Sequence, residues 1–238
     1  MNAEIRERIE MINRGEVPEG YKKTKAGIIP EDWEVKRLGE LSSRIIDGTH
    51  STPKYTDSGV QFYSVENITN NDFENTKFIS KEEHIQLSKR CPVEKGDVLM
   101  TRIGSIGDTK LIDWDVKASI YVSLALIKLN TNVLPEYVYM YTKGENFKRE
   151  IISRSLLKAV PQKINLGDIA NVKILVPNKW LEQQKIAQIL STWDKALELK
   201  EKLIDDKKKQ KKGFMQKLLT KDVRLPGFDG EWEEVRLD

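Results

Sequence analysis

The sequence predicts an α+β fold, with a globular mixed domain at residues 28–178 followed by one long helix over 179–221 that pairs lengthwise with another helix. Two observations predict it. From about 28 to 176, short apolar runs of strand length alternate with helical stretches and turn clusters. From Trp180 to Thr220 there is no proline and one glycine, Gly213, and apolar residues recur at seven-residue spacing.

Residues 1–27 read as a short helix and a linker. Ile5, Ile9 and Ile12 form one narrow helical stripe, and Gly15, Pro18 and Gly20 then break it. In the mixed domain, Val60–Ile68 alternates as a half-buried strand does. Val98–Met100, Tyr121–Ile127 and Val172–Val176 read as further strands. Asp47-Gly48, Asp57–Gly59, Asn70-Asn71 and Gly104–Gly107 mark turns between them. Helices are expected near 81–89 and over 135–153, the second opened by Pro135 at a position where its missing N–H costs nothing.

The long helix has a seam. Ile186, Trp193, Lys200, Lys207 and Phe214 fall at strict sevens, and Leu190, Leu197 and Ile204 lie in a second row beside them. Asp205–Lys212 is almost wholly polar, so the seam is apolar on either side of it. A stripe this apolar needs a partner surface, and the chain offers no second long helix. The partner is expected to be another copy or another protein, with Ile186, Leu190, Trp193, Leu197 and Ile204 at the interface.

Charge is distributed unevenly. There are 40 Lys and Arg against 37 Asp and Glu, for a net charge of +3. Residues 200–224 carry +6 and residues 225–238 carry −4. The basic run is either a solvated helix face or a surface facing phosphate or a subunit. Cys91 is the one cysteine, so no intrachain disulfide forms, and no run reaches the ~18–20 apolar residues of a membrane span. The expectation is a cytoplasmic chain with no membrane partner. Its two histidines, His50 and His84, and the absence of clustered cysteines make a transition-metal site improbable. A phosphate-binding Gly-Lys-Ser/Thr loop and an Asn- or Asp-Pro-Pro-Tyr segment are both missing. Asp97, Asp108, Asp113 and Asp115 lie near Lys110 and Lys117 in sequence, a density that a chain with 32% charged residues produces by chance.

There is an internal repeat: Pro30-Glu-Asp-Trp-Glu-Val-Lys-Arg-Leu38 recurs as Gly230-Glu-Trp-Glu-Glu-Val-Arg-Leu237, with Trp33 and Trp232 aligned. Residues 222–238 therefore read as the start of a second copy of the first domain.

These features resemble the specificity (S) subunit of type I restriction–modification systems. Ile29-Pro-Glu-Asp-Trp33 with Arg37-Leu-Gly39 is similar to the start of that family's target recognition domain. Asp47-Gly-Thr-His50 with Pro53 resembles its next segment, and Gly96-Asp-Val-Leu99 followed by Gly104-Ser-Ile-Gly107 its central strand and glycine loop. Pro177, Leu181-Glu-Gln183, Ile186-Ala187 and Leu190 resemble the opening of its conserved helix. Leu218-Leu-Thr220 with Arg224-Leu-Pro-Gly-Phe228 resembles the exit into the next recognition domain. Each motif is weak by itself; five in the expected order are specific. The family's usual subunit alternates two recognition domains with two helical regions, and this chain supplies one of each, so it resembles a half-length form.

The resemblance implies a non-catalytic subunit that chooses the DNA. Adenine methylation, with its S-adenosylmethionine, belongs to a methylation (M) subunit. Cleavage, with its ATP and Mg²⁺, belongs to a motor–nuclease (R) subunit, and this chain needs no cofactor of its own. Two copies joined by an antiparallel coiled coil would hold two recognition domains apart, and 40 helical residues span about 60 Å. The expected target is double-stranded, bipartite and, for identical copies, palindromic. The alternative is a truncated or decoy fragment that binds the methylation subunit without supporting modification.

Candidate DNA contacts are the polar residues of the domain's loops: Thr49, His50, Lys54, Tyr55, Arg102, Ser105, Lys158, Gln162 and Lys163. Arginine and lysine pair with guanine, and asparagine and glutamine with adenine. The bland readings stand beside these: a hydrogen-bonded structural role for His50, an ordinary tight turn for Gly104–Gly107, a solvated connection for Ser155–Lys163. Lys22, Lys23 and Lys25 are either phosphate contacts or a solvated basic stretch.

Overall fold

A buried, near-continuous apolar run such as Leu124-Ala-Leu-Ile127 suits a strand covered on both faces, and that is where the fold is centred. A computed structural model describes residues 3–220, 222–228, 230, 233, 235 and 236. The elements in chain order are α1 (Ala3–Asn13), β1 (Tyr21–Thr24), β2 (Gly27–Pro30), β3 (Trp33–Arg37), β4 (Ser42–Asp47), β5 (Tyr55–Thr56) and β6 (Val60–Tyr63). There follow α2 (Val65–Thr69), β7 (Lys77–Ile79), α3 (Lys81–Ser88), β8 (Val98–Thr101), β9 (Thr109–Leu111), β10 (Ala118–Ile120) and β11 (Leu124–Leu129). The last are α4 (Pro135–Lys143), α5 (Glu145–Arg154), α6 (Leu166–Ala170), β12 (Lys173–Pro177) and α7 (Trp180–Leu219).

One four-stranded sheet, in the order β4-β11-β8-β9, is antiparallel throughout. Its central strands divide the core by alternation. Ala125, Ile127, Val98 and Met100 join one apolar cluster with Phe147, Ile151, Ile169 and Ile174. Leu124, Leu126 and Leu99 join the other with Tyr63, Ile112 and Ile120. A second sheet, β10-β6-β7-β5, covers that second cluster, and a two-stranded ladder of β12 with β3 closes the first.

Local chemistry explains several boundaries. Gly15, at φ +79°, lets Glu16 N–H donate to Met11 O at 3.0 Å and ends α1 in the left-handed manner that favours glycine. Ser80 caps α3 by accepting from Glu83 N–H at 3.1 Å. Gly144 separates α4 from α5, so the single helix expected over 135–153 is two.

Other expectations shift. The strand expected over Val60–Ile68 stops at Tyr63. There the Asn67 side chain accepts from Ser64 N–H at 2.8 Å and starts α2, and helix and strand share the apolar positions that gave the alternation. The strand expected from Tyr121 begins at Leu124, because the backbone of 121–123 is engaged with Tyr63 at the end of β6, Thr49 and Arg102. The β1–β2 hairpin straddles the boundary expected at 27/28.

By its internal contacts the chain divides into Met1–Gln188 and Ile189–Asp238. The first unit thus runs past the expected boundary at 178, because the opening turns of α7 belong to it. Gln183, 2% exposed, donates to Pro177 O and accepts from Leu134 N–H, both at 2.9 Å. Glu182 accepts from the Trp33 indole at 3.1 Å, and Ala187 is buried in the first cluster. In the second unit, α7 exposes Ile189, Leu190, Trp193, Leu197, Leu203, Ile204, Phe214 and Leu219. After the helix, Val223 N–H donates to Lys217 O at 3.0 Å, and Arg224 Nε donates to Phe228 O at 2.8 Å. Trp232 and Leu237 of the sequence repeat lie outside the described residues.

Candidate nucleic-acid interface

Asp47 ends β4 with its carboxylate buried, and a buried carboxylate must be paired. Arg90, just beyond α3, donates to Asp47 Oδ1 at 2.6 Å and to the carbonyls of Asp47 and Gly48 at 3.0 and 2.9 Å. Arg102, just beyond β8, donates to Asp47 Oδ2 at 3.2 Å, Val122 O at 2.9 Å and Ile164 O at 3.3 Å. His50 Nε2 lies 3.0 Å from Asp47 Oδ2, with 67% of its side chain exposed.

Around this centre four loops join by main-chain hydrogen bonds. Thr49 N–H donates to Ile120 O at 3.0 Å, and Val122 N–H to Thr49 O at 2.9 Å. A Cβ on Gly48 would stand 2.0 Å from Ile120 O, so only glycine allows this approach. Arg102 N–H donates to Ser123 O at 2.8 Å, Gly104 N–H to Gln162 O at 2.9 Å, and Ile164 N–H to Arg102 O at 2.9 Å. Leu156 N–H donates to Lys163 O at 2.7 Å, closing the 155–163 loop on itself. The segments 47–51, 102–107, 121–123 and 155–164 therefore form one mesh, carried at the ends of β4, β8 and β11.

The mesh gathers most of the residues singled out from sequence. Thr49, His50, Ser105, Lys158, Gln162 and Lys163 lie on its loops, with His50, Lys158, Gln162 and Lys163 exposed. Ser105 Oγ donates to Asp108 Oδ2 at 2.5 Å. Gly104 and Gly107 have φ of +84° and +91°, so the turn itself requires both glycines. Tyr55, in β5 of the second sheet, and Lys54 just before it are exposed and lie outside the mesh. Tyr55 is linked to it through rings: it packs edge-on to Phe62 at 5.9 Å, and Phe62 to Tyr121 at 6.2 Å.

Arg102 requires a correction. It was expected among the DNA contacts, beside a glycine loop whose backbone could approach phosphate; instead it is 9% exposed and its guanidinium is taken up by Asp47 and two carbonyls. It holds loops together from inside. Ile186, expected at the interface, is partly buried against the core of its own domain, whereas Leu190, Trp193, Leu197 and Ile204 are exposed. Sequence reading missed Asp47 and Arg90 as organisers and Glu182 and Gln183 as anchors of the helix. The Asp47-Gly-Thr-His50 and Leu181-Glu-Gln183 motifs were the available signals.

Two of the carboxylates near Lys110 and Lys117 have separate engagements. Asp97 is buried against Lys128 Nζ at 2.8 Å; burial pushes its carboxyl up, and Lys128 opposes that rise. Asp108 holds Ser105, while Lys110 donates to Asn71 at 2.7 Å. His84 lies 2.9 Å from Ser119 Oγ, and burial lowers its pKa, helped by Lys117. Among the described residues, no three His, Cys, Asp or Glu side chains are grouped to hold a metal ion. No helix among them is long and apolar enough to cross a membrane.

The model of the type I restriction modification DNA specificity domain matches residues 30–206. A Methanocaldococcus jannaschii chain assigned as the MjaX type I restriction enzyme specificity subunit is 32% identical over 92% of this chain and 55% of its own length. The MjaVIII specificity subunit of the same organism is 26% identical over 88% of this chain and 50% of its own. This chain thus spans about half the length of the curated relatives it matches. Among solved structures, a type I S subunit from M. genitalium superposes with a TM-score of 0.56 at 18% identity, over 80% of this chain and 46% of that one. The HsdS subunit from Thermoanaerobacter tengcongensis gives 0.54 at 19%, over 84% of this chain and 47% of that one. These two likenesses establish the fold.

Proposed function

Because this chain belongs to the family of type I restriction modification DNA specificity domains, we propose that it is the DNA-reading, non-catalytic subunit of such a complex, acting in the cytoplasm. The observation that carries this reading is the loop mesh. Reading bases requires polar side chains held in fixed register. His50, Lys158, Gln162 and Lys163 stand on loops whose backbones are hydrogen-bonded to one another and tied inside by Asp47, Arg90 and Arg102.

The chemistry lies elsewhere. A methylation subunit carries S-adenosylmethionine and modifies adenine, and a motor–nuclease subunit uses ATP and Mg²⁺ to cut. This chain brings both to the target. Two copies pair through the exposed rows of α7 as an antiparallel coiled coil, and the 40-residue helix, about 60 Å long, sets the unread gap between two half-sites. Identical copies demand a palindromic, bipartite sequence.

The test is methyl transfer to DNA by the methylation subunit with and without this chain. Transfer that requires both supports the reading. A stable complex that transfers nothing would make the chain a decoy, and DNA cleavage by the chain itself with Mg²⁺ or Mn²⁺ would make it an enzyme.

A further inference from the structure

A second concentration of cations lies outside the mesh, in a cleft of about 410 Å³ between the β1–β2 turn, α4, α5 and β12. Lys25 enters from the turn, Lys173 from β12, and Arg149 and Arg154 from α5. The helix can present them because Phe147 and Ile151 take its other side into the core. Glu150 is the one carboxylate of the lining, and Arg154 holds it at 2.8 Å. Arg149 donates to the neutral Asn146 Oδ1 at 2.6 Å. Lys25, Arg149 and Lys173 have no carboxylate within ion-pair distance among the described residues. The lining nets +3, as much as the whole chain, so this is a local accumulation and not the average surface.

Position says what the charge is for. Arg154 is the last residue of α5, and the next residue, Ser155, begins the loop that Leu156 and Lys163 close into the mesh. That loop carries exposed Lys158 and Lys163, which belong to the candidate reading surface.

We propose that this cleft takes a backbone phosphate of the same duplex, on the flank of the bases that the mesh reads. The inference rests on the DNA-reading function above. Guanidinium and ammonium groups are strong donors to phosphate oxygens. Such contacts fix where a protein sits on a duplex without distinguishing its sequence.

The test uses the full chain in complex with its methylation subunit, comparing wild type with Lys25→Gln/Arg149→Gln/Lys173→Gln. Affinity for a target duplex and a random duplex is measured from 50 to 200 mM salt. Removing one phosphate-binding cation flattens the slope of log affinity against log salt by about 0.9. The triple variant is expected to flatten it by one or two such steps and to weaken on both duplexes by the same factor. Its methylated motif and its copurification with the methylation subunit should be unchanged. An unchanged slope overturns the proposal. A changed motif would make these residues base readers, and failure to copurify would make the cleft a protein-binding surface; either overturns it. Exchanging chloride for inorganic phosphate at matched ionic strength adds a competitor for the cleft. A phosphate-specific loss of affinity is expected for wild type and not for the variant; an equal loss in both would place the competition elsewhere and overturn the proposal. If the wild-type complex binds no DNA, the function itself fails; if only the variant's slope is unmoved, this inference alone fails.

Discussion

The two units of this chain treat the same kinds of residue in opposite ways. Up to Gln188 the chain builds an apolar core: Ala187 is 4% exposed, and Phe147, Ile151 and Ile174 are fully buried. From Ile189 onward apolar side chains are outside, with Trp193 at 67% and Leu197 at 61%. Both stretches of α7 obey the same spacing, yet one stretch completes a core within its own chain and the other has no such core to join. The first unit is a finished object that presents loops. The second exposes an apolar row, and on the proposed reading it is half of an interface whose stability depends on what covers it.

That contrast is sharpest at Trp193. Trp193→Ala removes the largest seam side chain, and its loss from a formed pair costs about 3–5 kcal/mol. Sedimentation should show the pair dissociating while melting of the first unit is unchanged. An unchanged mass would mean that the seam faces the methylation subunit instead. Arg102→Ala should do the reverse. It breaks a buried ion pair and costs about 3 kcal/mol of the first unit's stability, read by urea unfolding, with pairing through α7 intact. Gln183→Ala tests the joint at the start of α7. It leaves Leu134 N–H and Pro177 O without their side-chain partner and costs about 1–3 kcal/mol, again by urea unfolding.

The smallest effect is kinetic. Burial pushes the Cys91 thiol up to about 11, so its reactive thiolate is scarce near neutral pH. A thiol reagent at pH 8 should label the folded chain slowly and the unfolded chain at once. Fast labelling of the native chain would show that the second core cluster, which contains Cys91, opens readily.

What was legible in the sequence follows from range. The long helix, the buried strands β8, β11 and β12, and α3 show in local periodicity, which neighbours a few residues apart decide. The short strands β1, β5, β7, β9 and β10 have two to four residues each, and their pairing partners, not their own patterns, make them strands. Most candidate residues were legible as exposed loop residues because polar residues beside turns are conspicuous. Arg102 was misplaced because an arginine next to a glycine loop reads alike whether it faces out or in. Its partner Asp47 is 55 positions away. Ile186 was misplaced because seven-residue spacing does not say whether a neighbour belongs to the same chain.

The central claim is that a self-contained reader is doubled by an incomplete helix. Mapping N6-methyladenine in DNA from cells that coexpress this chain with its methylation subunit tests it directly. The account predicts one palindromic motif with a fixed unread gap, the two half-sites read by identical domains. An asymmetric motif would contradict it, because two copies of one reader cannot specify two different half-sites.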